Sequence, residues 1–375
     1  MMIEKIYKKL KEKIDREPSK DDYSKLIAVY EKPEYLFQEV LDLEGIEFGI
    51  EIEFESEMSE NDIIKCLEKN GFPLEKMISK ACSRNKKKNY QKWNFCRECC
   101  RNKDESLKCE KELISPIFKE EVETWKQIRE VVNLIKIQLK GKINEVCSIH
   151  IHVNRKCFMK SPIAFNDLQK LYVYLEPLIL CVAAGENREV SEERLFHYSA
   201  VASQDELFWR KGFKSANTAR EEIGNASNFD ENINNLINCF FSSRYHSINY
   251  STKTTDYLTV EFRIFNGTLN ENIIQTYLVI IDHILQNIGG KTEKIDPYYD
   301  KNGEILHFPV DNYYYEGDLT VPANYVKKCF DLLGFNNREK SAVLDILKKN
   351  NFYIPQHAIR ALEGHYTDEE IQRIV

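Results

Sequence analysis

The sequence predicts one main α+β domain carrying a helical C-terminal appendage. Three observations predict it. GIEIEFE at 49–55, CSIHIHVN at 147–154 and TVEFRIFNGT at 259–268 alternate apolar and polar residues with the period of a strand. Residues 59–70, 119–140, 164–184 and 270–288 repeat apolar residues at helical spacing. The chain of 375 residues is 42% hydrophobic and 11% aromatic, enough for a substantial core, and no internal repeat or low-complexity linker divides it.

The elements follow in order. Residues 1–42 read as helical, with Ile3, Ile6, Tyr7 and Leu10 on one face and Pro18 and Pro33 as punctuation. The first strand comes next. The helix over 59–70 has Ser59 in the N-cap place and Gly71 just past its end. Residues 80–110 are polar, irregular and rich in cysteine, and ELISPIF then reads as a short strand stopped by Pro116. The helix over 119–140 presents Val122, Trp125, Ile128, Val131, Val132 and Ile135. The apolar run over 164–184 is too short and interrupted to span a membrane. Residues 186–240 read as loops and short helices. A tyrosine-rich loop follows Pro297, and the tail is helical from about 323.

Charge and cysteine usage exclude some functions. The net charge of −7 argues against a nucleic-acid partner, and the run Lys86-Lys87-Lys88 is too local to change that. The charged N-terminus lacks a signal peptide's apolar core, and no stretch of 18 apolar residues occurs. A cytoplasmic location is expected, where the 11 cysteines are thiols or metal ligands rather than disulfides.

Chemistry concentrates on the polar faces of the three strands. Ile50, Ile52 and Phe54 take one face of the first strand, and Glu51, Glu53 and Glu55 the other. His150 and His152 share a face of the second, and Glu261 and Arg263 a face of the third. Any one of these alone suits a solvated sheet face with cross-strand pairs. Together they put carboxylates, imidazoles and a guanidinium on apolar-backed strands. Carboxylate-rich sets suit magnesium or manganese, and an arginine beside such ions suits phosphate chemistry. Glu55, at the strand end, reads as solvated.

GIEIEFE, ELISP, CSIHIHVN, RYHSIN and TVEFRIFNGTLN, in that order over about 45–290, resemble the amidoligase family. These are carboxylate–amine ligase relatives of glutamine synthetase and glutamate–cysteine ligase. The resemblance implies a curved antiparallel β-sheet backed by helices, with a glutamine synthetase-like catalytic domain over 43–295. Residues 1–42 would then be an N-terminal helical segment, 80–110 an insertion and 296–375 the appendage. It implies an ATP- and Mg2+- (or Mn2+-) dependent ligase that forms an amide through an acyl-phosphate. The partners would be an amino acid, peptide or protein carboxylate and an amine acceptor. It implies Glu51, Glu53, Glu112, His150 and Glu261 as metal ligands, His152 and Asn249 toward the nucleotide, and Arg263 and Arg244 for phosphate neutralisation. Trp93, Asp104 and Ser106 match a tryptophan, aspartate and serine that the family keeps before ELISP.

Cys96-x-x-Cys99 with Cys100, Cys82 and Cys109 leaves three readings open: a structural Zn2+, unliganded thiols, or a redox role. The other cysteines, at 66, 147, 157, 181, 239 and 329, read as core. Two further functions compete with the ligase. A metal-dependent hydrolase built on His150 and His152 leaves the glutamates and Arg263 unexplained. A non-catalytic binding scaffold of the same fold does not need so complete a polar set.

Overall fold

The computed structural model of the protein describes residues 47–72, 74–76, 91–96, 111–119, 121–154, 162–187, 190, 247–249, 259–287, 319–320, 323–350 and 353–354. The expectations for 1–42, for most of 186–240 and for the tyrosine-rich stretch after Pro297 lie outside these residues.

The centre is β1 (Glu47–Phe54). Its alternation gives one face, Phe48, Ile50, Ile52 and Phe54, at most 2% exposed, to the core. On one edge it pairs antiparallel with β6 (Ile149–Asn154). On the other it pairs with β4 (Lys111–Ile114) and then with β5 (Phe118–Lys119). The break between them is at Pro116, which has no N–H to give to a ladder. Ser115 bridges the gap with main chain and side chain together. Its N–H donates to the Ile50 carbonyl at 2.9 Å, and its Oγ accepts from the Ile50 N–H at 2.9 Å.

Beyond β6 lie β8 (Thr259–Phe262) and β7 (Ile248–Asn249). Beyond β4 lie β3 (Trp93–Cys96) and β2 (Leu74–Lys76). The sheet has eight strands in the order β2-β3-β4-β1-β6-β8-β7, with β5 also on β1, and it does not close. The expectation of an antiparallel sheet holds except at its edge, where β2 and β3 run parallel. Residues 77–92 between them have the length that a parallel crossover needs. β3 itself is a second departure, since it falls inside the cysteine-rich segment that reads as irregular.

The helices back the apolar face. α1 (Glu60–Lys69) is capped by Ser59, whose Oγ accepts from the Asp62 N–H at 3.2 Å, and Gly71 follows at φ +87. α2 (Val122–Ile137) places Trp125 on Phe48 with ring centroids 6.3 Å apart. α3 (Pro162–Ala183) places Tyr172 against Phe262 of β8 at 5.9 Å. α4 (Glu271–Gln286) starts from an Asn270 cap and stacks Tyr277 on Phe265 at 4.1 Å. The tail contributes α5 (Ala323–Leu333) and α6 (Asn337–Lys349), and α6 packs on α3 and α4. A two-stranded ladder of β9 (Leu319–Thr320) and β10 (Tyr353–Ile354) was not anticipated. Cys147, Cys181 and Cys329 are buried, as expected, while Cys66 is half-buried, and Cys157 and Cys239 lie outside the described residues.

The run after β8 leaves the ladder early, and Gly267 shows why it needs a glycine. Its N–H donates to the Cys147 carbonyl at 2.8 Å. A Cβ there would lie 2.8 Å from Cys147 Cβ and 2.9 Å from Ile143 Cγ2. Gly267→Ala should therefore destabilise the fold by about 1–3 kcal/mol through overpacking. Thermal denaturation checks this, and an unchanged Tm would mean that the Cys147 turn yields freely.

Candidate functional site

The other face of the sheet gathers the polar residues, because period-2 strands in register set like-facing positions side by side. Glu53 of β1 stands opposite Glu112 of β4, and Glu51 opposite His150 of β6. His152 stands opposite Glu261 of β8, Glu261 opposite Asn249 of β7, and Cys96 of β3 opposite Glu112. Thus the predicted residues Glu51, Glu53, Glu112, His150, His152, Asn249, Glu261 and Arg263 all meet on one surface. Its centre is buried, with Glu53 4% exposed and Glu112, His150 and Glu261 each 5% exposed, while His152 and Arg263 are half-buried.

His150 is the hub. Its Nδ1 lies 3.1 Å from Glu51 Oε2 and 3.5 Å from Glu261 Oε1, and its Nε2 lies 3.9 Å from Glu53 Oε1. The Nε2 of His152 lies 3.4 Å from Glu51 Oε1 and 3.8 Å from Glu261 Oε1. Arg263 donates from one guanidinium nitrogen to Glu261 Oε1, and Asn249 donates to Glu261 Oε2 at 2.8 Å. The Cys96 thiol donates to Glu112 Oε2 at 2.6 Å.

Electrostatics follow from this arrangement. Burial pushes the Glu261 carboxyl up, but the Arg263 guanidinium and the imidazoles of His152 and His150 together hold it below the ordinary carboxylate range. Burial likewise disfavours the charged Arg263, and Glu261, Glu51 and Glu53 outweigh it and raise its pKa. Among the described residues, the Arg263 guanidinium and the imidazoles of His150 and His152 share this face with the carboxylates of Glu51, Glu53, Glu112 and Glu261, and buried carboxylates this close together are stabilised by neighbouring positive charge.

The donor set fits divalent ions. Among the described residues two groups have ligand atoms all within 4.8 Å of one another: Glu51, His150 and Glu261, and Glu53, Glu112 and His150. Carboxylate oxygen with one imidazole suits a hard or borderline divalent cation such as magnesium or manganese.

Of the remaining expectations, Arg244, Asp104, Ser106, Cys82, Cys99, Cys100 and Cys109 lie outside the described residues. Trp93 is buried on the apolar face, in edge contact with Phe118 at 5.8 Å. Glu55 is exposed, as expected of a strand end. Glu47, at the other end of β1, accepts from the Asn154 side chain at 2.9 Å. Two site residues escaped the sequence reading. Ser148 donates to Glu53 from both N–H and hydroxyl, and Thr259 Oγ1 lies 3.3 Å from His152 Nδ1. Both stand two residues before a residue already singled out, so the same strand parity points to them.

A protein-family model described as "Putative amidoligase enzyme" matches residues 44–285. No curated protein and no solved structure matches the chain. Among the described residues no helix is long and apolar enough to cross a membrane.

Proposed function

The chain belongs to the amidoligase family, and on that premise we propose that it is an ATP- and magnesium-dependent carboxylate–amine ligase with a glutamine synthetase-like catalytic domain. The observation that carries this reading is the pair of adjacent buried ligand groups meeting at His150, with Arg263 at their side. A carboxylate is a poor acyl donor at neutral pH. In the proposed reaction its oxygen takes the γ-phosphoryl group of ATP, and ADP leaves. The amine then attacks the acyl carbon, and phosphate leaves as the amide forms.

The residues divide the work. Glu51, His150 and Glu261 would hold one magnesium ion, and Glu53 and Glu112 a second. Magnesium in these places would supply positive charge to the phosphate oxygens. Arg263 neutralises the transferred phosphoryl group, and its bond to Glu261 keeps the guanidinium aimed across the face. Asn249 holds the other Glu261 oxygen, so the carboxylate cannot turn away. His152 and Asn249 lie toward the nucleotide, and Arg244 is a second phosphate ligand. The donors would be an amino acid, peptide or protein carboxylate.

A hydrolase built on His150 and His152 gives Glu112, Asn249 and Arg263 no task, so the ligase accounts for more of the site. The test is ADP release by purified protein with ATP, magnesium and a panel of amino acids and peptides. Release that needs magnesium and an added carboxylate, and that falls at least about 10²-fold in Glu53→Ala, supports the ligase. Absence of ATP binding by the wild type would overturn it.

A further inference from the structure

Both ligand groups include His150, yet a neutral imidazole has one N–H and one lone pair and can ligate one ion. Nδ1 faces Glu51 and Glu261, while the nitrogen within reach of Glu53 is Nε2. Something must decide between them. Ser148, 2% exposed, sits where that decision is made.

Its Oγ lies 2.8 Å from His150 Nε2 and is also hydrogen-bonded to Glu53 Oε2. A carboxylate only accepts, so the Ser148 hydroxyl hydrogen goes to Glu53. The Ser148 N–H donates to the same oxygen at 2.7 Å, which anchors the pair to the strand. What Oγ has left to offer Nε2 is a lone pair, so Nε2 carries a hydrogen; Nδ1 also faces an acceptor, Glu51 Oε2 at 3.1 Å, and would give up its own hydrogen there only to an ion bound between them. We propose that Ser148 is a positioning residue that fixes His150 as the Nε2–H tautomer and commits its Nδ1 to the ion shared with Glu51 and Glu261.

Two consequences follow. The Glu53–Glu112 position loses its imidazole, so the two ions bind unequally, and the Glu51–His150–Glu261 position fills first. The order Ser148, His150, Glu51 also has the connectivity of a nucleophile triad, but here the serine hydrogen is given to Glu53 and not to the histidine. Ser148 is thus an outer partner of the metal ligands, of the kind that orients them and sets which nitrogen coordinates.

The inference rests on the metal-site reading and not on turnover, so it is tested without nucleotide. Nitrogen NMR of 15N-histidine-labelled, magnesium-loaded wild type, with His150→Gln for assignment, reports the tautomer directly. Hydrogen on Nε2 and none on Nδ1 is expected. In Ser148→Ala this preference is lost, and manganese affinity at the tighter position, titrated by electron paramagnetic resonance, falls about 10- to 100-fold. Ser148→Thr, which keeps the hydroxyl, restores both. Hydrogen on Nδ1 in the loaded wild type, unchanged manganese affinity in Ser148→Ala, or no ion bound at all would each overturn the proposal. The expected tautomer and affinities without ADP release in any assay would sink the ligase reading and leave this one standing.

Discussion

Arg263→Ala lowers magnesium-dependent ATP turnover roughly 10³-fold, and Arg263→Lys recovers only part of it. That is the expected result if Arg263 faces the transferred phosphoryl group, because one well-aimed donor to developing charge in a dry site contributes on the order of 10²–10³ in rate, and arginines at phosphoryl transfer reach more. Lysine keeps the charge but not the planar fork that grips Glu261 and an oxyanion together. A stability effect accompanies the kinetic one. Arg263 is a paired cation against a buried Glu261, and removing one partner of a buried pair costs about 3–5 kcal/mol. Denaturant melts of the ion-free variant should show this loss, and magnesium should return part of it by binding the folded state alone. Turnover within a few-fold of wild type would remove Arg263 from the chemistry. A turnover loss without any change in ion-free stability would mean that its bond to Glu261 carries little energy.

How far the sequence discloses this site depends on whether a property is local. Strand parity is local: IEIEF, IHIH and VEFR each declare which side chains share a face, and the observed face contains them. Helix caps are local too, and Ser59 and Gly71 stand where the chain turns. Register is not local. Nothing in ELISP announces that Glu112 lies opposite Glu53, or that β1 runs between β4 and β6. Parity puts Ser148 on the polar face, but its task there depends on register, since a serine is ordinary until pairing puts Glu53 beside it. β3 escaped for a related reason, since WNFC is four residues in polar surroundings and becomes a strand by pairing with β4. It carries Cys96, read as a zinc-ligand candidate, to the edge of the carboxylate cluster. The β9–β10 ladder joins two-residue segments far apart in the chain, with no periodicity to read.

The second large effect is expected away from the sheet, where the C-terminal helices meet α4. His283 has both ring nitrogens against acceptors, with Nδ1 2.8 Å from the Leu333 carbonyl at the end of α5 and Nε2 3.1 Å from Glu339 Oε1 of α6. Glu339, 1% exposed, also closes the capping box of α6 by accepting from the Asn336 N–H at 2.7 Å. Only the imidazolium satisfies both acceptors. Burial disfavours that charged form, yet the Glu339 hydrogen bond and charge, the Leu333 carbonyl and Asp282 outweigh it and raise the His283 pKa. Burial pushes the neighbouring Asp282 up to about 6, against His283 and the Gln286 bond. Both groups hold a proton more tightly folded than unfolded, so the sign is the same for both. Their contribution is complete below the unfolded values. That of Asp282 is lost as pH rises through about 6, and that of His283 as pH rises through its raised value. Hydrogen exchange in α5 and α6 should therefore accelerate from mildly acidic to alkaline pH, ahead of the strands. Glu339→Ala removes the buried partner and the cap together. It should cost about 3–5 kcal/mol and flatten the alkaline part of that profile, because a histidine without its carboxylate no longer holds the proton. An unchanged Tm in Glu339→Ala, or exchange in α6 that does not depend on pH beyond the intrinsic rate, would show that the helices stay docked by their apolar contacts alone.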